Sequence, residues 1–190
     1  MDAIEALTRR VSTPKLQEPG PSSEQWRQLL RAAQRAADHG QLRPWRFLTI
    51  EGEAREQLGQ LFCDSALRDN PQLPDTFQQK FKNMPLRAPA LLVVIASCQD
   101  HPKVPQQEQV IAAGAAAQNV INAAFALGVG AMWRTGDMAY NSHVCQGLGL
   151  AENEKLIGFI YLGTPASASK SLPSISEPEE VCQSWGEVQA

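Results

Sequence analysis

Long apolar runs are missing from this 190-residue chain. The greasiest stretch, Ala88 to Cys98, is interrupted by Pro89 and falls short of the roughly 18 residues a spanning helix needs, so no membrane insertion is expected. An excess of one charge is missing too. Seventeen basic and 20 acidic residues leave a formal charge of −3, a balance that does not ask for nucleic acid. The segment Met1 to Leu16 carries Asp2 and Glu5 and lacks an apolar core followed by a small-residue cleavage site, so it reads as part of the fold and not as a signal peptide.

Cysteine is sparse and dispersed. Cys63, Cys98, Cys145 and Cys182 form no C-x-x-C pair and have no histidine nearby at ligand spacing, which argues against zinc and against a thioredoxin-like site. Four unpaired thiols suit a reducing, cytoplasmic setting. His39, His101 and His143 fall in no H-x-x-x-H pattern and no evident nucleophile–base constellation, so neither a metal site nor a catalytic triad is expected. Also absent are G-x-x-x-x-G-K-[ST], a G-x-G-x-x-G after a first strand, and a G-x-S-x-G elbow. Walker ATPases, Rossmann dehydrogenases and α/β-hydrolases are thereby set aside.

What is present is an ordinary globular composition, 43% hydrophobic and 19% charged, long enough for one domain with a real core. Ile4, Leu7 and Val11 recur at helical spacing, predicting a short amphipathic helix over 2–10 that ends at Arg9-Arg10. Ser22-x-x-Gln25 resembles a capping box, and Trp26, Leu29, Leu30, Ala33 and Ala37 continue it into a helix over about 23–38, with Arg27, Arg31 and Arg35 on its other face. Strands are predicted at 45–50, 90–97, 131–135 and 156–162, and helices at 53–62 and 75–82. Pro105 opens a long helix to about Leu127, apolar over most of its circumference. Its small Ala113–Ala117 stretch suits close approach of a backbone from within the fold or from a second subunit. Asn141-Ser142 caps a further helix. Because Ala90 to Ser97 is apolar on both faces, layers are expected above and below the sheet, giving an α+β (α/β three-layer) domain over 1–165 and an extended tail over 166–190.

The candidate chemistry lies in dispersed arginines with polar loop residues: Arg10 with Ser12, Arg35 with His39, and Trp133-Arg134-Thr135. Forked cations and short hydroxyl donors are what a phosphate monoester requires. Each has a plainer reading as well. Arg10 complements a helix C-terminus, Ser12 serves a turn, Arg35 lies on a solvated face, His39 sits at a helix end, and Trp45 belongs to the core.

Taken in order, the opening Met-Asp-Ala-Ile-Glu-Ala-Leu-Thr-Arg-Arg-Val-Ser, Arg35-Ala-Ala-Asp-His39, Pro44-Trp-Arg-Phe47, Lys103-Val-Pro, Trp133-Arg-Thr-Gly136 and Tyr161-Leu-Gly-Thr-Pro165 resemble the nitroreductase family, in its small bacterial NAD(P)H nitroreductase branch. That resemblance implies a nitroreductase-like mixed central sheet flanked by helices and an obligate homodimer with FMN at the subunit interface. It places Arg10, Val11 and Ser12 at the ribityl phosphate. Arg35 and His39 fall at contacts from the other subunit or from the same helix face, and Trp133, Arg134 and Thr135 close over flavin and phosphate. A nicotinamide-binding stretch falls on Ala123, Ala124, Phe125, Ala126, Leu127 and Gly128, which spacing alone reads as the end of a buried helix.

The implied activity is NAD(P)H-dependent reduction of FMN at N5 and transfer to an electron-poor acceptor such as a nitroaromatic or a quinone. The flavin carries the chemistry, so no catalytic side chain is named. Two departures stand out: Val11 where this branch usually has a second arginine, and Arg43 where glutamine usually precedes Pro-Trp. Alternatives are another reaction of the fold (dehalogenation, azoline oxidation, flavin cleavage) or a flavin-binding or interaction module with little turnover.

Overall fold

The computed structural model describes residues 1–167, 172 and 174–186, so the tail expected over 166–190 lies partly outside the described residues. The chain opens with α1 (Ala3–Arg9), whose first turn is capped by Asp2, its carboxylate accepting from the Glu5 N–H at 2.8 Å. After the short strand β1 (Leu16–Gln17), α2 (Ser23–Ala33) begins with the predicted capping box. Ser22 Oγ accepts from the Gln25 N–H at 3.3 Å, and the Gln25 side chain accepts from the Ser22 N–H at 2.8 Å. The helix stops at Ala33, short of the expected residue 38, and Arg35 stands in the turn beyond it. There the Asp38 carboxylate holds the Leu42 and Arg43 N–H groups, which commits the chain to a new turn.

Then follow β2 (Trp45–Glu51), α3 (Ala54–Asp69), α4 (Asp75–Asn83), β3 (Ala90–Ser97), α5 (Gln106–Ala126), β4 (Gly130–Arg134), α6 (Asp137–Tyr140), α7 (Ser142–Gly147), β5 (Glu154–Pro165) and α8 (Pro178–Val181). Among the described residues every ladder is antiparallel. β2 pairs with β3, β5 pairs with both β3 and β4, and its last residues pair with β1.

The layering follows from β3. Ala90, Leu92 and Val94 point to the side of α2 and α5, where Leu29, Ala33, Ala117 and Val120 meet them. Leu91, Val93 and Ile95 point the opposite way, onto Leu58, Phe62, Met138 and Val144 of α3, α6 and α7. From Ala90 to Ala96 the strand is wholly buried, as an unbroken apolar run requires. The α+β three-layer class read from the sequence is the one found.

Two apolar faces predicted to be buried are not covered within one chain. In α1 only Ala6 is buried, while Ile4 and Leu7 are 70% and 58% exposed. In α5, Ala113, Ala116 and Ala117 pack inward, settling the within-fold reading for those three, but Ile111 is 61% exposed and open space surrounds Gly114. The sheet reaches only one side of that helix.

Candidate functional site

Arg10 follows α1 in extended conformation. Its neighbour Arg9 pairs with Glu5 at 3.4 Å, whereas Arg10 has no carboxylate partner among the described residues. The segment beyond it is tied to β4 by the Thr13 N–H, which donates to the Ala131 carbonyl at 2.8 Å. Val11, Ser12 and Lys15 thereby form one wall of a cavity of about 270 Å³, with Phe125 and Ile121 of α5 on another and Gly128 beside them. Two residues of the expected nicotinamide stretch, Phe125 and Gly128, thus share a cavity with Val11 and Ser12. Of the rest, Ala124 is buried in the core, Ala126 is exposed, and Ala123 and Leu127 pack against the core.

Alternation along β4 separates its side chains. Trp133 turns to the α2 and α5 side, where its Nε1–H donates to the Ile157 carbonyl at 3.4 Å. It fits there because residue 158 is glycine: at φ 151°, an added Cβ would collide with the indole nitrogen. Arg134 turns the other way and lies over the Tyr161 ring, its guanidinium carbon 5.5 Å from the centroid. Its Nε is buried and finds no hydrogen-bond acceptor among the described residues. With Thr135 it lines a second cavity of about 330 Å³. Burial raises the Tyr161 phenol above its ordinary pKa, against the opposing pull of Arg134 and Arg87, so this hydroxyl stays protonated.

Arg35 belongs to a third region. It lines two adjoining shallow cavities of about 440 and 470 Å³ together with Arg43 and Trp45, and Arg31 joins the second. Arg43 and Gln41 hold left-handed backbone, φ 50° and 54°. The loop is pinned by the Leu42 and Arg43 N–H groups donating to Asp38 (3.2 and 2.7 Å) and by the Gln99 side chain donating to the Leu42 carbonyl at 2.9 Å. His39 does not line these cavities; its Nδ1 lies 2.6 Å from Glu108 on α5.

A single chain therefore brings Val11 and Ser12 together and keeps Trp133-Arg134-Thr135 contiguous, but it does not unite either group with Arg35 and His39. Sequence reasoning missed Lys15, whose position just past Ser12 was the available signal. It also missed Tyr161 and Arg87, which only folding brings to Arg134.

The nitroreductase family model matches residues 7–164. The chain belongs to the nitroreductase family. It is 38% identical to YdjA of Escherichia coli strain K12, a provisionally named NAD(P)H nitroreductase, over 94% of this chain and 96% of that one. Among solved structures it superposes on a nitroreductase-like family protein from Bacillus cereus with a TM-score of 0.82 at 21% identity, covering 98% and 97% of the two chains. It also superposes on a provisionally named nitroreductase in complex with FMN from Desulfovibrio desulfuricans, with a TM-score of 0.73 at 22% identity and 97% and 96% coverage.

Proposed function

We propose that this nitroreductase-family chain is an FMN-dependent NAD(P)H oxidoreductase, built from one domain over 1–165 and working as a homodimer with flavin held between subunits. The observation that carries the reading is Ser12 with Lys15 on a cavity walled by Phe125 and Ile121, just past Arg10, which has no carboxylate partner among the described residues. The Ser12 hydroxyl and the Lys15 ammonium beside an apolar wall, with the Arg10 guanidinium close by in sequence, are donor types that fit a phosphate carried on an aromatic ring system. The FMN complex of the Desulfovibrio relative and the NAD(P)H name of YdjA support the choice of cofactors.

In this reading Arg10 and Ser12 take the phosphate, Val11 contributes its backbone, and Trp133, Arg134 and Thr135 stand along the flavin through their strand. Phe125 and Gly128 lie where the nicotinamide stretch would approach. Arg35 and His39 serve the crevice of the other subunit, which accounts for their separation from Ser12 within one chain. The exposed Ile4, Leu7 and Ile111 and the open space at Gly114 offer an apolar surface for that subunit. The chain's own residues bind, orient and exclude water. FMN, when bound, takes hydride from NAD(P)H and passes electrons to an acceptor such as a nitroaromatic or quinone. The free thiols Cys63, Cys98, Cys145 and Cys182 suit a cytoplasmic setting.

Purified protein is expected to be yellow, to release FMN on denaturation, and to bleach with NADH or NADPH under anaerobic conditions. A colourless dimer that cannot be reconstituted with FMN overturns the proposal. Arg10→Ala with Ser12→Ala is expected to lower flavin content at least tenfold.

A further inference from the structure

Three arginines gather at one crevice without carboxylates to balance them. Arg35 and Arg43 line the adjoining cavities of about 440 and 470 Å³ together with Trp45, and Arg31 joins them at the second. All three are exposed, and none forms an ion pair among the described residues, where the paired arginines are Arg9, Arg27, Arg46 and Arg55. Asp38 is the one acidic residue in the lining, and both its oxygens are engaged by backbone, Oδ1 by the Leu42 N–H and Oδ2 by the Arg43 N–H. Those bonds, with the Gln99 side chain on the Leu42 carbonyl, hold Arg43 at φ 50°, a left-handed conformation that is costly for a residue with a Cβ. Strain of this kind persists only where the surroundings over-determine it.

The balance of charges selects the ligand. A nucleotide ribose with a free 2′-hydroxyl is met by a carboxylate acceptor, whereas one that carries a 2′-phosphate is met by arginine. Here no carboxylate is free and the guanidinium forks are threefold. A phosphate monoester carries a charge of about −1.5 to −2 at pH 7 and three acceptor oxygens, which several forks can share. Trp45, half-buried, adds an aromatic wall for an adenine ring.

We propose that Arg31 and Arg43 bind the 2′-phosphate on the adenosine ribose of the electron donor and so select NADPH over NADH. The inference rests on the flavin reading above, in which Arg35 serves the flavin crevice; Arg31 and Arg43, which share a cavity with Arg35, then stand beside that crevice. They hold the adenosine end of the donor and take no part in hydride transfer.

Calorimetry on the purified full-length protein, with whatever flavin it carries, tests this without turnover. 2′,5′-ADP is expected to bind saturably and at least tenfold more tightly than 5′-AMP, which lacks the 2′-phosphate. Arg31→Gln and Arg43→Gln are each expected to weaken 2′,5′-ADP at least tenfold, with little effect on 5′-AMP. In anaerobic flavin bleaching, kcat/KM for NADPH should exceed that for NADH at least tenfold, and the ratio should fall at least tenfold in each variant, through KM and not kcat. Because the arginines are exposed, added salt should raise the KM for NADPH more steeply than that for NADH. Equal affinity for 2′,5′-ADP and 5′-AMP, or a preference undiminished in both variants, overturns the proposal. A yellow protein that bleaches equally well with the two donors rejects this inference and leaves the flavin reading standing. A colourless protein that still binds 2′,5′-ADP through Arg31 and Arg43 rejects the flavin reading alone.

Discussion

The Arg46 guanidinium donates two parallel hydrogen bonds to the Glu154 carboxylate, Nε to Oε1 and Nη2 to Oε2, both at 2.6 Å. Arg46 stands on β2 and Glu154 at the start of β5, so the pair spans the intervening β3. The Ala151 N–H adds a third bond to the carboxylate at 3.0 Å, and Arg46 also reaches the Gly149 carbonyl at 2.9 Å. Such a fork fixes both geometry and charge.

The Arg46 bonds hold the Glu154 carboxyl down at about 2, from an ordinary value of 4.5, and Glu154 in turn raises Arg46. A carboxyl depressed by folding contributes stability that is fully present above about pH 4.5 and is lost as pH falls through about 2. Glu154→Gln should cost about 1.5–3 kcal/mol at pH 7, the range for hydrogen bonds to charged groups. In urea unfolding across a pH series, the gap from wild type should close between pH 4.5 and 2. A gap that stays constant over that window would mean the bridge is not the source.

Gly158→Ala should be severely destabilising. The residue combines φ 151° with a position where a Cβ would meet the Trp133 indole nitrogen and lie 2.9 Å from the Arg134 carbonyl. Overpacking of this kind costs about 1–3 kcal/mol before backbone strain is added. Because Trp133 must move, its emission maximum should shift red along with the loss in melting temperature. Unchanged emission would show that the strand gives way and the indole does not.

Arg43→Gly separates backbone from charge. Glycine adopts φ 50° without penalty, whereas a residue with a Cβ pays roughly 1–2 kcal/mol there, so the variant should be more stable than wild type in urea. Asp38→Ala should act in the opposite direction, by about 1–2 kcal/mol, since it frees the Leu42 and Arg43 N–H groups that hold the loop. If the strain serves to aim Arg43, the stabler glycine variant will show a higher KM for NAD(P)H or acceptor.

Local signals carried most of the fold. The capping box at Ser22 and Gln25, the apolar run from Ala90 to Ser97 and the Asn141 cap, which accepts from the His143 and Val144 N–H groups, each act within a few residues and were legible. What was not legible depends on partners distant in sequence. β1 exists only because Leu16 and Gln17 find Pro165 and Thr164, and α2 stops early because Asp38 claims the next turn. At the site, residue types pointed to Arg10 and Ser12. Which face of β4 takes Arg134 depended on strand phase, and the sequence offered no anchor for that phase until Gly158 was seen to receive Trp133.

The remaining prediction concerns assembly. Ile111 and Leu7 lie on α5 and α1, helices that touch one another, and both side chains are more than half exposed although they are apolar. If a second subunit covers them, Ile111→Glu with Leu7→Glu buries two carboxylates in the interface and should yield monomers by native mass and light scattering. Arg35 and His39 would then be parted from the partner's Ser12, so flavin content should fall with the dimer fraction while urea stability of the monomer stays near wild type. A monomeric double variant that keeps a full complement of flavin would place the whole crevice within one chain and would reject the shared site.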